Sequence, residues 1–286
     1  MNLFLFTLLS GLVSGALYAL SALGVSLVAG LMRVVNFSHG EFYIFGAYLS
    51  YVFGIVFGLQ PWIAMSIAVL IMFLCGLILQ WILIRPIYKN QSNALVTTFI
   101  LSIVLQNIAM IVFGPNPKKP PNYIDGVVRI FGFFEFGAQR LMAGAIAFVI
   151  LACVLLLVWK TNFGRAIRAV AQDRDMAEAI GINAGWVNSV GFAFSVALAA
   201  AAGVLVAPIF PVTPNAGESV TLAAFVVLVF GGVGSIRGCL WGGLILGLVE
   251  KFGISYLSSM YSQIFGFVLL VAVLLMRPTG MYGSKV

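Results

Sequence analysis

Along this chain, charged positions are rare and bound long apolar runs. The charge-free intervals are Met1–Met32, Phe42–Ile84, Asn90–Pro117, Leu141–Trp159, Ala179–Gly217, Ser219–Ile236, Gly238–Val249 and Phe252–Met276. A helix needs about 20 apolar residues to cross a bilayer. The second interval is too long for one helix, and Gly58-Leu59-Gln60-Pro61-Trp62 supplies a turn with an interfacial tryptophan. The last two are separated only by Glu250-Lys251, a pair that can snorkel near a helix end. The pattern predicts nine crossings, at 3–31, 40–57, 61–84, 91–113, 141–159, 185–207, 219–235, 238–257 and 262–276. The seventh is short, and a re-entrant segment there would change the count. The expected fold is an all-α polytopic membrane protein, a single transmembrane domain over 1–286 with about eight to ten transmembrane helices.

Composition closes off other classes. Of 286 residues, 62% are hydrophobic and 8% charged, with a mean hydropathy of +1.13. A soluble domain carries about 25% charged residues. The formal charge of +7 and pI near 9.5 do not point to nucleic acid in so apolar a chain. They fit basic loops facing anionic lipid. The N-terminus lacks a basic region before its long apolar run, so the first segment is expected to remain in the mature protein.

Lys and Arg counting orients the bundle. One face collects Arg33, Arg85, Lys89, Lys160, Arg165, Arg168, Arg174, Arg237, Arg277 and Lys285; the other collects Lys118, Lys119, Arg129, Arg140 and Lys251. The richer face is expected to be cytoplasmic, with the N-terminus outside. The outer loop 114–140 carries Pro115, Pro117, Pro120 and Pro121 and is expected to form a rigid polar cap. The inner loop 160–184 is the most charged stretch. It reads as a helix capped by Asn162, with Ala166, Ile167, Val170, Ala177 and Ile180 at helical spacing and Gly181 at its end. Lipid could cover such a helix. Its charges, four basic and three acidic, are mixed in sign and favour a protein partner.

Glycine is frequent, at 31 residues. Gly11/Gly15, Gly238/Gly242 and Gly243/Gly247 form GxxxG pairs suited to close helix contact, and bundle packing is the plainer role. Gly231-Gly232-Val233-Gly234-Ser235 is dense enough to break a helix and reads as a hinge or gate. Ser38–Gly46 also resembles Ser235–Gly243, each opening a span after a turn, as an internal repeat would.

No catalytic constellation emerges. The phosphate loop GxxxxGK[ST], HExxH and GxSxG are all absent, so no ATP site of the Walker kind is expected on this chain. With one histidine and three cysteines in apolar segments (Cys75, Cys153, Cys239), no metal site is expected and the thiols read as buried. Glu41 and Glu250 fall near expected span ends, where solvation is the simple answer. Asn36, Ser38, His39 and Glu41 form the densest polar cluster near the membrane. They read either as a polar constriction on a transport route or as a capping box, Ser38 at the N-cap and Glu41 at N3. The capping box leaves Asn36 and His39 unexplained.

Several stretches resemble one family. Asn36-Phe37-Ser38-His39-Gly40-Glu41-Phe42 resembles the NFAHGEF signature of permease subunits in branched-chain-amino-acid-type ABC importers, with Gly15-Ala16-Leu17-Tyr18-Ala19-Leu20 before it and Gly46-Ala47-Tyr48 after. Thr161–Ala169 and Asp175–Asn183 resemble the family's coupling segment. Phe230–Ser235 and Arg277-Pro278-Thr279-Gly280 match its C-terminal part. Ser38 and Cys239 replace the usual small residues, commonly alanine.

The resemblance covers essentially the whole chain and implies a set of partners. One is a second homologous permease subunit; two cytoplasmic ATP-binding subunits, which hold ATP and Mg, dock below; an extracytoplasmic binding protein delivers the solute. It implies that Arg165, Arg168, Asp173, Arg174, Ala177, Glu178 and Gly181 face the ATPase. Asn36, Ser38, His39 and Glu41, with Gly231, Gly232 and Gly234, are the candidate path or gate. The outer loop and the turn near Pro211–Glu218 would face the binding protein. The resemblance extends to systems for branched-chain and other amino acids, urea, amides and aromatic acids, and a bacterial inner membrane is the expected location. A solitary carrier would need a mid-membrane ionisable residue, and an embedded enzyme a paired nucleophile and base; the sequence points to neither.

Overall fold

In the computed structural model, residues 2–87, 91–130, 134–277 and 280–282 are described. Lys89 and Lys285 of the charge count, and Pro278-Thr279 of the C-terminal motif, lie outside them. The helices are α1 (Asn2–Met32), α2 (His39–Tyr51), α3 (Pro61–Leu79), α4 (Gln91–Phe113), α5 (Ala138–Lys160), α6 (Asn162–Gln172), α7 (Arg174–Ala179), α8 (Ala184–Val206), α9 (Ala216–Gly231), α10 (Ile236–Tyr256) and α11 (Ser262–Met276). π-helical turns at Val52–Val56 and Gln80–Ile84 extend α2 and α3. Each expected crossing coincides with a helix to within a few residues.

Six of these helices are long and apolar enough to cross a membrane: α1, α3 with its π turn, α4, α5, α8 and α10. The expected full crossings at 40–57, 219–235 and 262–276 are corrected. α2 with its π turn (13 and 5 residues) is about 27 Å long, and α9 and α11, with 16 and 15 residues, are about 24 and 22 Å, all short of the roughly 30 Å hydrocarbon core.

The reason for the short α2 lies in the turn before it. Arg33 takes a left-handed φ of 53°, which ends α1 and turns the chain back. Val34, Asn36, Ser38 and His39 are all buried, so the chain re-enters the bundle before α2 begins. The expected repeat between Ser38 and Ser235 survives only as two serines at helix N-caps. The tertiary relation runs elsewhere: α1–α2 and α8–α9 each pair a long helix with a short one, and Gly40 of α2 packs on Gly217 of α9.

α1 and α10 form the tightest pair, and glycine is the cause. A Cβ on Gly247 would fall 2.3 Å from Gly15 N, and one on Gly243 2.5 Å from Ala19 N. The Gly11/Gly15 and Gly243/Gly247 motifs therefore meet each other within one chain.

The outer cap contains a hairpin that the sequence did not suggest. β1 (Val127–Ile130) pairs antiparallel with β2 (Phe134–Gly137), Val128 opposite Phe136. Lys118 also bridges Val212, tying the cap to the segment before α9. Tyr123 anchors it from above, its hydroxyl 3.4 Å from Val204 O. Burial pushes that phenol up to about 12. Of the cysteines, Cys239 is buried but Cys153 is exposed on α5, which corrects the expectation of three buried thiols.

Candidate functional site

The polar cluster lies at the level of helix midpoints. Ser195 is the central residue of α8, and Ser102 that of α4. The His39 ring and the Ser195 carbonyl both crowd the Gly24 Cα: a Cβ there would sit 2.7 Å from His39 Cε1 and 2.9 Å from Ser195 O. Glu41 Oε1 accepts a 3.2 Å hydrogen bond from Ser102 Oγ. So His39 and Glu41 sit about halfway along the spanning helices rather than at a solvated span end, and Glu41 is 1% exposed. This corrects the reading that no carboxylate lies at mid-depth. One premise against a solitary carrier falls with it.

The re-entrant backbone finds its partners inside the protein, as irregular chain at this depth must. Asn36 Oδ1 accepts from Ser38 N at 3.1 Å and Ser38 Oγ at 2.7 Å. Thr98 Oγ1 meets Phe37 N and Val35 O, each at 3.4 Å. Gly40 N donates to Thr221 Oγ1 at 2.9 Å. The capping box is therefore corrected. Ser38 occupies the N-cap of α2 without a side-chain cap bond, because its hydroxyl is committed to Asn36, and Glu41 turns to α4. Asn36 gains its explanation as the residue that folds this turn.

The N-terminal ends of α2 and α9 meet here. A Cβ on Gly40 would lie 2.0 Å from Gly217 O, and one on Gly217 2.7 Å from Glu41 Oε1. The Glu41 carboxyl thus rests against the first turn of α9, where the helix dipole favours negative charge. His39 Nε2 lies 3.4 Å from Ser21 Oγ, while His39 Nδ1, Asn36 Nδ2 and Glu41 Oε2 are buried without a hydrogen-bond partner. Thr98, Ser102 and Gln106, spaced by four on α4, face this region, and Gln106 Nε2 donates to Glu218 Oε1 at 3.3 Å. The sequence reading missed that stripe, although polar residues at every fourth position of an apolar helix were a legible signal.

Toward the outer side a cavity of about 330 Å³ opens between α1, α9, α10 and α11, from Ser21 to Phe210. Tyr18 donates to Glu250 Oε2 at 2.6 Å, and Glu250 Oε1 lies 3.6 Å from Lys251 Nζ. The Glu250-Lys251 pair is thus engaged inside the bundle rather than snorkelling outward.

Toward the inner side, Gly231, Gly232 and Gly234 form a tight turn. Gly232 and Gly234 have φ of 97° and 77°, which favour glycine, and Gly231 and Gly238 touch backbone to backbone. Met281 N and Tyr282 N donate to the carbonyls of Phe230 and Gly231, so the C-terminal segment closes the end of α9.

The charged inner loop is two helices rather than the one expected, because Asp173 leaves α6 and caps α7 through a 3.0 Å bond from Met176 N. Thr161, not Asn162, is the N-cap of α6, accepting from Gly164 N at 3.1 Å; Asn162 instead receives Arg165. Arg174 pairs with Glu178 at 2.9 Å, Ala177 is buried, and Gly181 ends α7 with a φ of 90°. Met176 and Ile180, 63% and 69% exposed, stand out from this face. Arg168 donates to Val158 O and lies 5.1 Å from the Trp159 ring centre, while Arg237 lies 4.7 Å from it. Trp159 therefore joins the inner helix α6 to the first turn of α10, a link invisible in sequence.

Residues 7–274 match the family described as the permease component of branched-chain amino acid transport systems. The chain is 32% identical to the high-affinity branched-chain amino acid transport system permease protein LivH of Escherichia coli K12, over 98% of this chain and 96% of that one. It is 31% identical to BraD of Pseudomonas aeruginosa, over 96% and 94%. It is also 26% identical to LivM of Escherichia coli K12, over 93% of this chain and 67% of that protein. In fold it is similar to PsaBC from Streptococcus pneumoniae, with a TM-score of 0.51 at 13% identity, covering 99% and 94%. A multi-pass bundle broken at mid-depth, carrying a charged two-helix segment on one side and matching these permeases from end to end, belongs to the branched-chain amino acid transport system permease family.

Proposed function

We propose that this chain is one of a pair of homologous permease subunits in an ATP-driven importer of branched-chain amino acids, located in a bacterial inner membrane. Two cytoplasmic ATP-binding subunits would hold ATP and Mg, and an extracytoplasmic binding protein would deliver the solute. The observation that carries this reading is the inner surface of α6 and α7. It is charged in both signs and presents exposed Met176 and Ile180 beside Gly181, a knob suited to a cleft on a protein. The likeness to both LivH and LivM supports a paired subunit of the same kind.

In this reading, Arg165, Arg168, Asp173, Arg174, Ala177, Glu178 and Gly181 shape the coupling surface. Trp159 passes its movement, through Arg168 and Arg237, to the glycine turn at Gly231, Gly232 and Gly234. Asn36, Ser38, His39 and Glu41 form the polar break on the route. The test is co-purification from native membranes in mild detergent, followed by ATP-dependent leucine uptake in vesicles. Recovery of a second permease and Walker-type ATPases with uptake supports the reading. A lone chain that transports without ATP overturns it.

A further inference from the structure

Glu250 and Lys251 are an unusual pair to find in the outer half of a bundle of apolar helices. They are neighbours in sequence on α10, and consecutive helical residues do not face each other. Their contact is accordingly long, at 3.6 Å, with side chains only 17% and 22% exposed. Keeping two charges out of water costs more than such a loose contact returns. Ionisable residues at membrane depth mark functional sites more often than structural ones. Both residues line the 330 Å³ cavity. At about 30 Å³ per water, that space holds roughly ten waters or one small solute.

The lining has two chemistries. One part is polar: Ser14, Tyr18, Ser21 and Ser219 beside the charged pair. The other is apolar: Leu17, Leu222, Val226, Leu246 and Phe267. Mostly apolar walls with a few convergent polar groups are the signature of a small-molecule pocket. The Tyr18 hydroxyl fixes one oxygen of Glu250 at 2.6 Å and leaves the other toward Lys251. At its inner end the cavity reaches Ser21, which also contacts His39 at the helix break. At its outer end it reaches Phe210, beyond the end of α8.

We infer that this cavity is a binding subsite for a zwitterionic α-amino acid with an apolar side chain. The Glu250 carboxylate takes the ammonium, the Lys251 ammonium takes the carboxylate, and the apolar wall takes the side chain. A zwitterion is the one class of solute that satisfies both charges without changing the net charge of the site. The Tyr18 hydroxyl holds the Glu250 carboxylate in the orientation that leaves its second oxygen for the ligand. The assignment rests on the importer reading for its solute class, and uptake and binding are therefore measured separately.

The experiment uses the assembled transporter in nanodiscs, without its binding protein, and radiolabelled leucine. Leucine should bind, while leucinamide and 4-methylpentanoate, each lacking one charge, should compete at least about tenfold more weakly, since a charged hydrogen bond is being lost. Y18F and the double variant E250Q/K251M, which leaves no lone charge, should each weaken leucine binding by about tenfold to a hundredfold while the subunits still co-elute. Equal competition by the uncharged-end analogues, or unchanged binding in both variants, overturns the subsite even if ATP-driven leucine uptake is intact. Binding that weakens in the variants of a complex showing no uptake keeps the subsite and removes the importer reading.

Discussion

Ser102 donates a 3.2 Å hydrogen bond to Glu41 across the middle of the bundle, from the centre of α4 to the first turn of α2. That contact joins the halfway point of a spanning helix to the start of a short one. It fixes the depth of the re-entrant turn at 33–38, whose backbone is satisfied by Asn36 and Thr98, while Thr221 takes the Gly40 N–H at the start of α2. Glu41 also touches α9 at Gly217, so one carboxyl braces three helices.

E41Q keeps the shape of this side chain and removes its charge against the α9 dipole. The subunit should still assemble, while transport falls by about tenfold, on the scale of one charge-assisted hydrogen bond. Uptake rates alongside co-purification yield check it. Unchanged uptake would reduce Glu41 to a structural brace.

The α1–α10 seam should be intolerant of side chains. G247L or G15V places carbon where backbone already lies, with a Gly247 Cβ 2.4 Å from Gly15 Cα. Overpacking costs about 1–3 kcal/mol even where neighbours can shift, and here the neighbour is backbone, so the loss should reach or exceed the upper figure. Thermal unfolding of the purified subunit in detergent measures it, and wild-type stability in both variants would contradict the packing.

On the inner face, the double variant M176D/I180D should abolish co-purification of ATP-binding subunits while leaving membrane insertion unchanged. R174A breaks the surface i,i+4 ion pair with Glu178, worth about 0.3–0.5 kcal/mol, and should have a smaller effect than the double variant. The reverse ranking would say that charge, not the apolar knob, holds the partner.

W159L removes the ring shared by Arg168 and Arg237. ATP hydrolysis by the assembled complex should persist while leucine uptake drops, because the inner helices would no longer pull on the first turn of α10. Parallel measurement of both rates decides it; hydrolysis and uptake falling together would place Trp159 in assembly instead.

The sequence alone determined that this is a helical membrane protein, where its helices run and which family it belongs to. Those properties are written in local patterns: apolar run length, the Gly58–Trp62 turn, the glycine spacings and the Asn36–Phe42 signature. It also marked Gly181, Gly232 and Gly234 as special, since a positive φ is a demand a residue meets by itself, but not the Asp173 cap that splits the charged loop into two helices. Depth was decided only by the tertiary structure. Nothing local distinguishes a helix that starts at the membrane surface from one that starts at its centre, because the same apolar residues suit both. The difference comes from Arg33 turning the chain back, from Thr98 and Thr221, on two other helices, supplying partners for the polar backbone there, and from Ser102 supplying one for the Glu41 carboxyl. The same holds for Tyr18 and Glu250, 232 positions apart, which only the packing of α1 on α10 brings within 2.6 Å.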